Sequence, residues 1–314
     1  MSAPEIVAVG RVSVDLYSME ADAAFDDQQM FTKSIGGSPT NVAVAAARLG
    51  RRSAIVTKVG EDGFGEYVRS RLRGFGVLTD FVGTQAGGQT PLALAALAPP
   101  ETPQVVFYRG SAAPDTHLVR ADLPAEVVRD CPLLWLSLGA LAQGSTADAC
   151  RSWLADRGRV AHTVLDLDYR PALWPDADIA RTAAATAIAG CTVVVGNRDE
   201  VMMALGTSDP DEAADALLAQ GVGLAIIKLG ADGAFLADAT TRVLVPPTPI
   251  SVVCGLGAGD AFGAALAHGL LSGWDLHEIG RFASAAGAYV AARLTCADDM
   301  PTEGEVRALL EVSA

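Results

Sequence analysis

From residue 133 onward the chain repeats one arrangement, a short apolar run followed by a stretch of helical length. Runs of this kind at 133–138, 163–169, 192–196, 224–229 and 234–237 are separated by helical stretches such as 145–157, 177–189 and 211–220. Near-continuous apolar runs suit strands covered on both faces. Strands separated by helices of that length lie parallel through right-handed crossovers. The predicted fold class is therefore α/β, a doubly wound, mostly parallel sheet flanked by helices. Residues 6–9, ending at Gly10, and 53–59 read as further strands, the second followed by a turn at 60–65 and a helix over about 65–74.

Two sections break the alternation. Residues 12–17 set one acid, Asp15, among apolar neighbours, and 20–35 are polar with strand character at 29–35. Residues 90–98 are apolar and 104–108 rich in β-formers, with the proline-rich 99–103 between them, so they predict a hairpin. Together these sections predict a small separate sheet, discontinuous in sequence, built from about 12–35 and 88–112. It would act as a lid on a single domain spanning 1–314. Tyr108 and Arg109 end it just before the flexible-looking 110–112. Asp15 fits either a loop carboxylate at a strand end or an acid aimed at sugar hydroxyls.

The chain has 314 residues, 50% hydrophobic and 19% charged, enough apolar material for a large core. A net charge of −14 argues against nucleic-acid binding and requires a locally basic site for any anionic substrate. Five cysteines (131, 150, 191, 254, 296) lie apart with no C-x-x-C pair, as buried thiols of a reducing compartment do. No run of 18 apolar residues predicts a membrane span, and Met1 leads into 5–7 without a basic segment and apolar stretch. The expected location is cytoplasmic.

Ligands of doubly wound sheets bind beyond the carboxyl ends of the strands. The informative polar residues fall there: Asp166, Asp168 and Arg170, then Asn197 to Glu200, then Lys228 with Gly230 and Gly233. The heptapeptide Cys254-Gly255-Leu256-Gly257-Ala258-Gly259-Asp260 precedes an apolar helical stretch. Alternate glycines there place backbone amides close to a ligand at a helix N-terminus, where an anion is favoured. Asp260 alone fits equally an acid that complements the helix dipole and a base. Asn197-Arg198-Asp199-Glu200 fits a helix cap with Glu200 at N3, or oxygen groups holding water on Mg²⁺. Arg170 fits a surface cation or an anion contact, and Lys228 a solvated strand end or a phosphate contact. In Gly36-Gly37-Ser38-Pro39-Thr40-Asn41, Ser38 is a good N-cap and Pro39 a good first helical residue. Capping leaves the two glycines and Asn41 unexplained, whereas a hinge or a close ligand approach accounts for them. The four histidines show no metal spacing, and His268 reads as packed or capping. Neither a P-loop nor an N-terminal dinucleotide fingerprint occurs.

Over nearly its whole length this set resembles the ribokinase-like (pfkB) carbohydrate kinases. The likeness is carried by residues 36–41, by Asn197-x-x-Glu200 and by Gly257-Ala258-Gly259-Asp260. Within that family, Asp166-Leu167-Asp168-Tyr169-Arg170-Pro171 and Met300-Pro301-Thr302 look like the kinases of 5-dehydro-2-deoxygluconate in inositol breakdown. Tyr108-Arg109 and Arg170 are similar to positions of the 2-keto-3-deoxygluconate kinases. The resemblance implies ATP and Mg²⁺, Asp260 as general base, and Gly257, Ala258 and Gly259 as an anion hole. It places Asp15, Gly36, Gly37 and Asn41 on sugar hydroxyls, and Tyr108, Arg109 and Arg170 on the rest of the substrate. It assigns Asn197, Lys228, Gly230, Gly233, Gly257 and Gly259 to the nucleotide, with Asn197 and Glu200 reaching Mg²⁺ through water. Val253-Cys254-Gly255-Leu256 departs from the Asp-Thr or Asn-Thr of many relatives, which leaves a monovalent cation open.

The expected reaction is ATP-dependent phosphorylation of a primary hydroxyl on a keto-deoxy sugar acid, 5-dehydro-2-deoxygluconate before 2-keto-3-deoxygluconate. A fructokinase- or ribokinase-type enzyme and a non-catalytic sugar- or nucleotide-binding regulator are the alternatives. An exposed edge of the lid sheet would let a second copy pair there, so a homodimer is expected.

Overall fold

Strand β1 (Ile6–Val9) shows why the apolar runs are continuous. Ile6 and Ala8 belong to one core and Val7 and Val9 to another, one on each face of a large sheet. The computed structural model describes residues 3–20, 25, 27–97, 99–101, 103–110, 112–160 and 162–312. In chain order the remaining strands are β2 (Ser13–Ser18), β3 (Phe31–Gly36), β4 (Ser53–Gly60), β5 (Val82–Gln85), β6 (Leu92–Ala96) and β7 (Gln104–Tyr108). They continue as β8 (Leu133–Ser137), β9 (Thr163–Asp166), β10 (Val193–Asn197), β11 (Leu224–Lys228), β12 (Ala234–Asp238) and β13 (Arg242–Val245). The main sheet has nine strands in the order β13-β12-β11-β10-β9-β8-β1-β4-β5. All pairings from β11 to β5 are parallel, and only β12 and β13 run antiparallel at the edge. The run at 234–237, expected to continue the alternation, instead turns back on β11. Only residues 229–233 intervene, too short for the crossover a parallel neighbour needs.

Helices α1 (Ser38–Arg48), α2 (Gly63–Gly74), α3 (Ala125–Asp130), α4 (Gly144–Arg157), α5 (Ala177–Ile188), α6 (Arg198–Leu205) and α7 (Pro210–Ala219) follow the strands. They are joined by α8 (Ala258–Ser272), α9 (Leu276–Ala291) and α10 (Glu303–Val312). Helices α1, α8 and α9 supply Val42, Leu266 and Phe282 to one core, whereas α4 and α5 supply Trp153 and Ile188 to the other. The second sheet, β3-β2-β6-β7, stands apart. Its outer pairs are antiparallel hairpins and its central pair β2–β6 is parallel. The expected hairpin over 90–108 and the discontinuous small sheet are both present. Parts of the expected lid segments (21–24, 26, 98, 102 and 111) lie outside the described residues.

Three local expectations need correction. Asp15 is mid-strand in β2, not in a loop. The N-cap of α1 is Gly37, at φ 99° and with no side-chain cap, so Ser38 is already helical. A Cβ at Gly37 would meet the Arg11 carbonyl oxygen at 2.4 Å, which leaves only glycine for the place a capping side chain would occupy. The strand expected over 163–169 stops at Asp166, because the chain then turns through Asp168 at φ 20°. Among the described residues no helix is long and apolar enough to cross a membrane.

Candidate active site

The N-terminus of α8 lies between two cavities. Gly257 and Asp260 border one of about 250 Å³, and Gly255, Ala258 and Gly259 border the other, of about 530 Å³. Gly257 is the N-cap at φ 79° and contributes no side-chain cap, so the first-turn amides have no intrahelical acceptor. A 15-residue helix thus presents its positive end, uncapped, at the junction. A Cβ at Gly257 would fall 2.7 Å from Cys296 Sγ, and one at Gly255 would fall 2.4 Å from the Glu101 carbonyl oxygen. The Gly255 amide donates to the Pro100 carbonyl at 2.8 Å, tying the turn of the β6–β7 hairpin to the glycine run.

Asp260 stands in the first turn of α8 and accepts from Asn41 Nδ2 at 2.8 Å. Burial, reinforced by the Asp168 carboxylate, pushes its pKa up to about 6, against the pull of Asn41 and Ser38. Asp15 lies on the same cavity, accepting from Ser13 Oγ at 2.6 Å and Tyr17 Oη at 3.3 Å. Burial raises it to about 6 as well. Gly36 makes room for it, since a Cβ there would sit 1.8 Å from Asp15 Oδ2. Gly37 and Asn41 border the cavity directly.

Three guanidiniums reach this cavity: Arg11, Arg109 and Arg170. Arg109 pairs with buried Asp115 at 2.6 Å, and Arg170 with buried Asp168 at 3.1 Å. Tyr108 is not brought to the cavity. Along β7 the inward residues are Val105 and Phe107, and the two-residue period of a strand turns Tyr108 to the opposite face, 62% exposed. Arg11, Ser38 and Cys296 line the cavity without having been singled out from the sequence as site residues. For Arg11 a signal existed, since it follows β1 directly at the ligand-binding edge of the sheet.

The larger cavity is bordered by Lys228, Gly230 and Gly233, residues that the resemblance assigns to the nucleotide, together with Pro247 and Ile250 and the α9 residues Gly287 and Ala288. Lys228 Nζ lies 3.7 Å from Asp166 and 3.9 Å from Glu200. Burial alone would lower its pKa, and these carboxylates more than reverse that. Asp166 is pushed up by burial, and its Oδ1 accepts no hydrogen bond. The Asn197–Glu200 capping box forms: Asn197 Oδ1 accepts from the Glu200 amide at 2.9 Å, and Glu200 Oε2 accepts from the Asn197 amide at 2.7 Å. His268 is packed, 5.8 Å from the Phe282 ring and 5.1 Å from the Trp274 ring.

Residues 3–303 match the family model of the pfkB family carbohydrate kinases. The chain belongs to that family. This carbohydrate kinase is 32% identical to a 5-dehydro-2-deoxygluconokinase of Shouchella clausii, over 98% of its own length and 95% of the relative's. It shares its fold with a fructokinase from Xylella fastidiosa solved with ATP, at TM-score 0.86 and 23% identity over 98% of each chain. An E. coli protein assigned as ribokinase II, in complex with ATP and Mg²⁺, superposes at TM-score 0.89 and 22% identity. That match covers 98% of the kinase and 99% of the E. coli chain.

Proposed function

We propose that this carbohydrate kinase transfers the γ-phosphoryl group of ATP to a primary hydroxyl of a keto-deoxy sugar acid, 5-dehydro-2-deoxygluconate in the first instance. The observation that carries the reading is Asp260, partly buried at an uncapped helix N-terminus between two cavities. An acceptor hydroxyl in the smaller cavity would meet the carboxylate, and a phosphate chain in the larger one would meet the amides. Asp260 takes the hydroxyl proton as the oxygen attacks phosphorus, a role that suits a carboxyl raised toward neutrality. The amides at 257–259 and Lys228 stabilise negative charge on the transferring group. Asp15, Gly37 and Asn41 orient the sugar.

Among the described residues no group of three or more His, Cys, Asp or Glu side chains could hold a metal alone. Mg²⁺ is held in such sites by one or two carboxylates, waters and phosphate oxygens. Buried Glu200 and the open oxygen of Asp166 fit that chemistry, with Asn197 beside them, and both E. coli ligands in the related fold, ATP and Mg²⁺, agree with it. When bound, the ion would neutralise charge on the phosphates. The resemblance to 5-dehydro-2-deoxygluconokinases and the guanidiniums of Arg11 and Arg170 on the smaller cavity both favour an acid over a neutral sugar.

The test is release of ADP from ATP and Mg²⁺ with 5-dehydro-2-deoxygluconate, 2-keto-3-deoxygluconate, fructose and ribose offered separately. The expected result is highest kcat/KM for the first of these. A preference for fructose or ribose would overturn the substrate, and no ADP release with any of them would overturn the kinase reading.

A further inference from the structure

We infer that the receptor for the substrate's carboxylate is the pair Arg11 and Arg170, held side by side by Asp168, and that Arg109 is not part of it. The inference deepens the sugar-acid reading and rests on it. Asp168 is 3% exposed and serves both guanidiniums, with Oδ2 accepting from Arg11 Nη2 and Oδ1 facing Arg170 Nη2 at 3.1 Å. Its positive φ of 20° is uncommon for a residue with a side chain, and it turns the chain just beyond β9. Arg11 follows β1 and Asp168 follows β9, two strands away in the sheet, so neither neighbourhood in sequence announces the other.

The three arginines differ in what remains for a ligand. Arg109 spends both terminal nitrogens on Asp115, at 2.6 and 3.3 Å, a two-point pairing that duplicates what a substrate carboxylate would offer. Arg11 is buried, borders the substrate cavity and bonds Asp168 through Nη2, while its Nε has no acceptor. That nitrogen has no exposed surface, so what the cavity offers a carboxylate is the rest of the Arg11 guanidinium, of which Nη2 is spent on Asp168. Arg170 keeps half of its side chain exposed on the same cavity. A substrate lacking the carboxylate would forgo these charge-assisted hydrogen bonds, a way for the site to disfavour it. Asp168 acts as a positioning residue.

The experiment compares Arg11→Gln, Arg11→Lys, Arg109→Gln and Asp168→Asn with the full-length wild type. It measures kcat and KM for the sugar acid, KM for ATP, residual turnover of fructose, and Tm. Arg11→Gln should raise KM for the sugar acid about 10²-fold, the loss of charge-assisted hydrogen bonds, with KM for ATP within about 3-fold of wild type. Arg11→Lys should lie between, because one charge returns without the planar fork. Asp168→Asn should raise the same KM more than it lowers kcat, and Arg109→Gln should leave that KM within about 3-fold. A folded Arg11→Gln with wild-type KM for the sugar acid overturns the inference, as does an equal loss for fructose. Should Arg11→Gln not fold, an unchanged KM in Arg11→Lys overturns it. A wild type that prefers fructose removes the sugar-acid reading itself; a wild type that prefers the acid while only Arg109→Gln loses it removes this inference alone.

Discussion

Asn41 Nδ2 donates to Asp260 Oδ2 at 2.8 Å, joining residues 219 positions apart in the chain. Helices α1 and α8 pack in one core, and this bond lies where their first turns meet. It holds the carboxylate beside the uncapped amides, on the wall of the smaller cavity.

Removing the carboxylate should remove the base and little else. Asp260→Asn is expected to lower kcat about 10²–10⁴-fold, the range for a positioned general base, with the Kd for ATP unchanged. Steady-state kinetics alongside calorimetric ATP binding checks this, and near-wild-type kcat would refute the assignment.

The pH dependence follows from the same group. A base must be deprotonated to act, and burial with the Asp168 charge raises Asp260 to about 6. The rate kcat/KM should therefore rise with pH through about 6 and level off above it. Asn41 favours the charged form, so Asn41→Leu should move that limb to higher pH. An unmoved limb would mean that another group titrates.

Stability should run the other way. Asp15 and Asp260 each have a native pKa raised to about 6 from 3.8. The native state then binds protons more tightly than the unfolded chain, so their favourable contribution is complete below pH about 4 and lost as pH climbs through about 6. Asp260→Asn should accordingly raise Tm at pH 8 and change it little at pH 4, as scanning calorimetry at the two pH values can show. The gain would accompany lost activity, a common trade at working sites.

Glycines at the site should resist even alanine. Gly257→Ala forces a side chain onto a backbone at φ 79° and toward Cys296 Sγ, with an expected cost of about 1–3 kcal/mol and a fall in kcat. Gly36→Ala pushes against the Asp15 carboxylate and should raise KM for the sugar. Denaturant unfolding with kinetics on each variant separates the two effects.

The capping role of Glu200 can be separated from a role at Mg²⁺. Glu200→Gln keeps a side chain able to complete the capping box, so Tm should hold. The Mg²⁺ concentration for half-maximal rate should rise about 10-fold or more if the carboxylate also serves the ion. An unchanged requirement would leave Glu200 with the cap alone.

Apart from the short edge strands β5 and β13, the alternation of strands and helices, the separate small sheet and the glycine run were legible in the sequence because each rests on local chemistry. Apolar periodicity, turn residues and the freedom of glycine act over a few neighbours. Asn197 and Glu200 were legible as a cap for the same reason. Strand direction at the edge was not, since β12 turns back on β11 through a connection whose shortness had to be read as topology. Tyr108 was misplaced because its face depends on register within β7.

By itself the sequence determined a kinase family, an α/β sheet and a base candidate at the head of α8. Tertiary structure alone decided which groups meet: Asn41 with Asp260, Arg11 and Arg170 on one Asp168, and the Asp15 carboxylate against Gly36. The physical reason is that pKa, pairing and steric allowance depend on distances of a few ångströms between segments that are far apart along the chain.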